Sequence, residues 1–129
     1  MKVDPRADGD IVMILTGKEL YTIRQCLNEV CNGFRVPEFK SRIGVDESVA
    51  IKLLDDTRIS SKKNVATISD DSFRLTVTQD ECRVLLSSMK ETFREGHGEG
   101  IPPREYPTRI GTTADNVKAI VSTIEAALE

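Results

Sequence analysis

The sequence predicts an α+β fold in which two similar units form one layered domain with a small antiparallel sheet. The phrase EFKSRIG (38–44) returns as EYPTRIG (105–111), at an offset of 67. LTGKEL (15–20) matches VTQDEC (77–82) at an offset of 62, and each segment opens a helix with the same apolar spacing. The two repeats span approximately residues 11–58 and 73–128, and we expect them to be related by a pseudo-twofold axis. A unit of about 60 residues buries little surface alone, so a single domain over 1–129 is predicted.

Each repeat is predicted to run strand, helix, loop, helix. DIVMIL (10–15) is a short apolar run typical of a buried strand, and its hairpin partner is expected near Val3. NVATIS (64–69) and SFRLTV (72–77) flank Asp70 and Asp71 and predict a second antiparallel hairpin. The sequence thus predicts up to four strands and four helices.

The helix starts carry clear signals. Thr16 with Glu19, and Thr78 with Glu81, predict two capping boxes. Apolar residues then recur at i, i+3, i+7 and i+11 along one face of each helix. These are Leu20, Ile23, Leu27 and Cys31 in the first helix and Cys82, Leu85, Met89 and Phe93 in the second. Asp46 and Thr112 or Thr113 are expected to cap the last helix of each unit.

The repeated phrase has a structural and a functional interpretation. In the structural one, Phe39 and Tyr106 insert into the core, and each arginine pairs with a nearby glutamate or helix-end carbonyl. Gly44 and Gly111 then permit an unusual backbone angle. In the functional one, Arg42 and Arg109 face one cleft and bind an anion. We favour the structural interpretation, because apolar, Gly and Arg positions recur together.

Charge and composition reduce the number of functional classes to which the chain could belong. The net charge is −3, divided as +1 over residues 1–64 and −4 over 65–129, which argues against nucleic-acid binding and permits a basic partner. No apolar run is long enough for a membrane span and no secretory leader is evident, so a cytoplasmic location is expected. Three cysteines and one histidine predict neither a disulfide framework nor a metal site, and no cofactor motif is found.

The second repeat contains an insertion, EGHGEGIPPR (95–104), that is typical of a long exposed loop. Together with the acidic second half, it suggests a contact surface for a protein partner. The candidate partner-binding residues are Glu95, His97, Glu99, Glu105, Asp80 and Glu81. His97 lacks the oriented partners that a catalytic base needs, and no catalytic residues are predicted.

In size, charge and lack of catalytic motifs, the chain resembles small, acidic bacterial proteins that neutralise a toxin by binding it. This likeness implies a non-catalytic immunity protein or antitoxin whose partner is a basic toxin or enzyme. An alternative is a small-molecule binding protein or enzyme with an anion held by Arg42 and Arg109 at the repeat interface. A homodimeric scaffold is a third hypothesis.

Overall fold

A four-stranded antiparallel sheet forms one layer of the fold. The computed structural model describes residues 1–93 and 100–129. The strands are β1 (Lys2–Pro5), β2 (Ile11–Leu15), β3 (Val65–Ser69) and β4 (Ser72–Val77), in the order β1-β2-β4-β3. Both predicted hairpins are confirmed, with Val3 opposite Met13 and Thr67 opposite Phe73. The central pairing of β2 with β4 joins the two halves of the chain, with Met13 opposite Leu75.

The helices form the second layer. In the described part of the chain there are six α-helices: α1 (Gly17–Asn28), α2 (Phe39–Ile43), α3 (Glu47–Asp56), α4 (Gln79–Thr92), α5 (Tyr106–Ile110) and α6 (Ala114–Ala127). The α+β class is therefore confirmed, with more helices than predicted. None of the helices within residues 1–93 and 100–129 has the length and apolar character to cross a membrane.

Both predicted capping boxes are present. The Thr16 hydroxyl accepts a hydrogen bond from the Glu19 backbone N–H, and Thr78 does the same with Glu81. Each glutamate carboxylate accepts the backbone N–H of its threonine in return. Thr113 caps α6 as expected, whereas Asp46 stands at the start of α3 without a side-chain cap bond. The local signals thus fix the starts of α1 and α4, two of the helices that contact the sheet.

The repeated phrase differs from the expected loop, since it folds as the one-turn helices α2 and α5. A helix of five residues is too short to show apolar periodicity, so the sequence pattern did not reveal it. Phe39 and Tyr106, at the first position of each helix, are buried in the core. Gly44 and Gly111 end the helices at φ +105° and +92°, which confirms the predicted need for glycine.

The core lies between the helices and one face of the sheet. Alternate residues of β2 and β4 point towards it and are almost fully buried: Ile11, Met13, Leu15, Phe73, Leu75 and Val77. The buried faces of α1 and α4 complete it, including Ile23, Leu27, Leu85 and Met89. The apolar face of α1 was predicted to extend to Cys31. The α-helix instead ends at Asn28, and Cys31 lies in a π-helical turn, Glu29–Gly33.

The elements of the two halves recur at the offsets read from the sequence. The starts of α2 and α5, and those of α3 and α6, show the same offset as the repeated phrase. The starts of α1 and α4 show the offset of the two capping boxes. The pseudo-twofold axis itself stays a prediction.

Candidate functional site

Arg42 of the first repeated phrase is bound to a glutamate of the other half of the chain. Its Nε and Nη2 donate to Oε1 and Oε2 of Glu91, each at 3.0 Å. This is the bidentate geometry that suits a guanidinium and a carboxylate. Glu91 lies in the last turn of α4, so the contact fastens α2 to α4.

Arg109 of the second phrase makes the reciprocal contact. Its Nη2 donates to Glu29, a buried residue in the π-helical turn after α1, and its Nη1 lies 3.6 Å from Glu105. The hydrogen bond to Glu29 is the main cause that raises the pKa of Arg109. A Cβ added to Gly33 would lie 2.7 Å from Cδ of Glu29, so Gly33 leaves the space in which this carboxylate sits.

The two arginines therefore bind separate glutamates, each in the opposite half of the chain. Glu29 and Glu91 occupy equivalent places in the two halves, since they stand at the same offset as the capping boxes of α1 and α4. An anion held by Arg42 and Arg109 would have to displace these intramolecular carboxylates. The geometry supports the structural interpretation of the repeated phrase.

Among the proposed partner contacts, the acidic residues that the structure describes lie near opposite ends of α4. Asp80 and Glu81 lie in the first turn of α4, and Glu81 is engaged in the capping box. Glu105 precedes Tyr106, whose hydroxyl lies 2.8 Å from that of Thr92 at the other end of α4. The 14 residues of that helix rise about 20 Å from end to end. Glu95, His97 and Glu99 lie outside the described residues.

Asp80 and Glu81 instead line a groove between α3 and the start of α4. This α3–α4 groove has a volume of about 260 Å³ and is lined by Val45, Val49, Lys52, Leu53, Asp56, Asp80, Glu81 and Val84. Val49 is 49% exposed and the Asp80 side chain is 83% exposed. Three carboxylates and one ammonium give the lining a formal charge of −2.

Lysines already neutralise one carboxylate of the α3–α4 groove. Asp56 accepts a hydrogen bond from Lys52 at 2.7 Å, and Lys63 lies 3.6 Å from it. The hydrogen bond from Lys52 is the main cause that lowers the pKa of Asp56. Asp80 pairs more loosely, with the exposed Arg83 at 3.8 Å. Its carboxylate is therefore the more accessible of the two to a partner.

The groove at the corresponding repeat positions lies between α1 and α6 and has different chemistry. This α1–α6 groove has a volume of about 470 Å³, and all of its lining residues except Met1 and Thr16 stand at the repeat offsets from those of the α3–α4 groove. Lys18 stands where the α3–α4 groove has Asp80, and Asn116 where it has Val49. Thr123 replaces Asp56. Both grooves thus have an apolar wall and the glutamate of a capping box, whereas Val49 and the carboxylates of Asp56 and Asp80 are specific to the α3–α4 groove.

The cysteines lie in or near the core and are free thiols. Cys26 and Cys82 are buried, whereas Cys31 is half-buried. Burial raises the pKa of Cys26 from 9.0 to about 12, although hydrogen bonds to Thr92 and Tyr106 oppose the shift. Burial likewise raises the pKa of Cys31 and of Cys82 to about 11. At neutral pH all three are protonated thiols and therefore poor nucleophiles or metal ligands.

Sequence reasoning missed a second cluster at the surface, formed by Tyr21, Arg24 and Arg58. Tyr21 and Arg24 lie on the same side of α1, and Arg58 follows α3. Only the tertiary packing of α1 against α3 brings them together, so no spacing in the sequence indicates the cluster. Within residues 1–93 and 100–129, no group of three His, Cys, Asp or Glu residues is placed to hold a metal ion.

Comparison of the chain with protein-family models, curated proteins and solved structures finds no match.

Proposed function

We propose that this chain is a non-catalytic binding protein whose α3–α4 groove takes up a basic side chain of a protein partner. The supporting observation is the exposed Val49 beside the exposed Asp80. An apolar wall beside an accessible carboxylate suits the long aliphatic stem and charged end of arginine or lysine.

The particular role we propose is that of a bacterial immunity protein or antitoxin that occludes a basic toxin or enzyme. The charge of −4 over residues 65–129 supports a basic partner, because complementary charge speeds encounter. The contrast between the two grooves supports a role for the α3–α4 groove alone. Free thiols at Cys26, Cys31 and Cys82 fit a reducing compartment such as the cytoplasm.

The alternative, an anionic ligand held by Arg42 and Arg109, has less support. Both guanidinium groups are already bound to glutamates. A ligand would gain the arginine contacts only by leaving Glu29 or Glu91 without its partner.

A pull-down followed by binding measurements tests the proposal. The tagged chain is incubated with host lysate at low and at high salt, and retained proteins are identified by mass spectrometry. We expect a stoichiometric basic partner whose retention falls with salt. Mass measurement of the purified chain in solution separates this outcome from a homodimeric scaffold without other activity.

Variants then locate the contact on the purified complex. Asp80→Lys should weaken binding about tenfold or more, because it places a like charge against the partner. Val49→Ser should weaken it by loss of apolar contact. The matched control is Asp115→Lys, an exposed charge reversal at the start of α6 that changes the net charge equally. Unchanged affinity in both groove variants would refute the groove as the binding site.

A further inference from the structure

A third groove lies between α1 and the chain that follows α3. This Tyr21 groove has a volume of about 460 Å³ and is lined by Gly17, Leu20, Tyr21, Arg24, Arg58, Ile59 and Ser60. Tyr21 is 55% exposed and Ile59 is 49% exposed. One edge of the Tyr21 ring is backed by Gly111, since a Cβ there would lie 3.2 Å from Cε1 of the tyrosine. The groove therefore offers an aromatic and aliphatic surface whose tyrosine is backed by the chain.

Two arginines line the same groove. Arg24 is half-buried and fixed, because its Nε donates to Oγ1 of Thr57 at 3.2 Å and its Nη2 donates to the carbonyl of Leu54 at 3.1 Å. These bonds use two of the five N–H donors of a guanidinium. Arg58 is 60% exposed, and its Nη2 lies 3.4 Å from Asp55. A positioned guanidinium and a more accessible one thus lie on one apolar surface.

The charges of the two arginines act on each other. Burial lowers the pKa of Arg24, the charge of Arg58 lowers it further, and Asp55 opposes the shift. The repulsion between the arginines is therefore not fully offset by the exposed Asp55. A bound anion would offset the repulsion between the two arginines. The attraction between the anion and Arg24 would be stronger than in bulk water, because Arg24 is partly shielded from water.

We propose that the Tyr21 groove binds a small organic anion, with a carboxylate or phosphate against Arg24 and Arg58 and an aromatic or aliphatic body along Tyr21 and Ile59. The volume falls within the range of sites for small molecules, about 300–1,000 Å³. This site is separate from the α3–α4 groove, so neither proposal depends on the other.

The matching groove of the second half provides a control. This Arg83 groove is lined by Pro5, Arg6, Gly9, Ile11, Gln79, Cys82, Arg83, Leu86 and Leu128. Leu86 stands at the position of α4 that corresponds to Arg24 of α1, so the half-buried guanidinium is replaced there by an apolar side chain. The two arginines of this groove are exposed and pair with the surface carboxylates of Asp4 and Asp80. Neither shares the fixed, half-buried position of Arg24.

The test is a titration of the ¹⁵N-labelled chain with phenylacetate and with phenyl phosphate, followed by amide chemical shifts. We expect saturable shifts confined to residues 17–24 and 57–60. The neutral isostere 2-phenylethanol should bind about tenfold more weakly, because its hydroxyl carries no charge and cannot accept a bidentate pair of hydrogen bonds from arginine. Equal binding of the alcohol, or no saturable shift with either anion, would overturn the proposal.

Three variants attribute the binding to the arginines. Arg58→Gln removes an exposed charge and should weaken the binding of phenylacetate about tenfold. Arg24→Lys keeps the charge but loses the planar fork, and should weaken it further, with circular dichroism to verify folding. Arg83→Gln, in the other groove, should leave affinity unchanged. Full affinity in both Arg24→Lys and Arg58→Gln would refute the site.

The same titration separates a small anion from an acidic peptide. The probe is an aspartyl-phenylalanine dipeptide blocked at both ends, which carries the carboxylate on a peptide backbone. Binding of the dipeptide with no binding of phenylacetate or phenyl phosphate would reassign the groove to a protein partner and overturn the small-molecule proposal.

Discussion

Arg42 binds Glu91 through two parallel hydrogen bonds of 3.0 Å, although the residues lie 49 positions apart in the chain. Arg109 makes the corresponding contact with Glu29, 80 positions away. Each copy of the repeated phrase thus fastens its own half of the chain to the other. The phrase recurs because both contacts require the same arginine, placed on a one-turn helix that an aromatic residue anchors in the core.

Loss of Arg42 should destabilise the fold more than loss of a surface arginine. Arg42→Met leaves the half-buried Glu91 without its partner, so we expect the free energy of unfolding to fall by about 1–3 kcal/mol. The control Arg83→Met removes an arginine whose pair with Asp80 is exposed, and a change below about 0.5 kcal/mol is expected. Urea denaturation followed by circular dichroism measures both, and equal effects would contradict the structural role.

Gly33 should tolerate alanine only when Glu29 is removed. In the native chain a Cβ would collide with the Glu29 carboxylate, so Gly33→Ala is expected to cost about 1–3 kcal/mol. In the Glu29→Ala background only Arg109 Nη2, 3.1 Å from the added Cβ, stays close, and this end of a flexible side chain can move. The same substitution should therefore cost much less there. Unfolding free energies of the two single variants and the double variant form the test. Additive effects would mean that Gly33 is required for another reason.

The sequence alone predicted the features that depend on neighbouring residues. The capping boxes at Thr16 and Thr78 need only residues three positions apart, and the hairpins follow from short apolar runs beside turns. The partners of Arg42 and Arg109 could not be predicted, since they depend on how the helices pack. The sequence pattern also did not predict α2 and α5, because a single helical turn is too short to show apolar periodicity.

The candidate sites were less predictable than the fold. Asp80 was identified from its charge, but its apolar neighbour Val49 comes from a distant helix. No feature of the sequence distinguishes Tyr21 and Arg24 from the other exposed residues of α1. Their grouping with Arg58 exists only once α1 lies against α3.

The protein should lose stability at alkaline pH because its buried thiols resist ionisation. In the folded chain the pKa of Cys26 is raised from 9.0 to about 12, so the unfolded chain releases this proton at lower pH. The resulting stability is complete below about pH 9 and is lost progressively as pH rises towards 12. Urea denaturation at intervals from pH 7 to about 10.5 should show this decline.

Cys26→Ala provides the comparison for the alkaline decline. The variant should be less stable at pH 7, because it leaves a small cavity in the core. Its stability should then fall less steeply with pH than that of the native chain. Parallel pH profiles would assign the decline to other groups, such as Tyr106, whose pKa burial also raises.

The α3–α4 groove and the insertion after α4 make different predictions for the proposed partner. The groove lies at the start of α4, whose 14 residues rise about 20 Å. If the contact is centred on the groove, binding should depend more on Asp80 than on Glu95 and Glu99. We expect Asp80→Lys to weaken binding about tenfold or more, and the double variant Glu95→Lys, Glu99→Lys to act mainly through long-range charge. Raising the salt concentration should therefore remove most of the effect of the double variant, because charges beyond a Debye length of about 8 Å are screened. Part of the Asp80→Lys effect should persist, since it comes from direct contact.

Association and dissociation rates measured at two salt concentrations distinguish the cases. A large, salt-resistant effect of the double variant, with none for Asp80→Lys, would move the contact to the insertion.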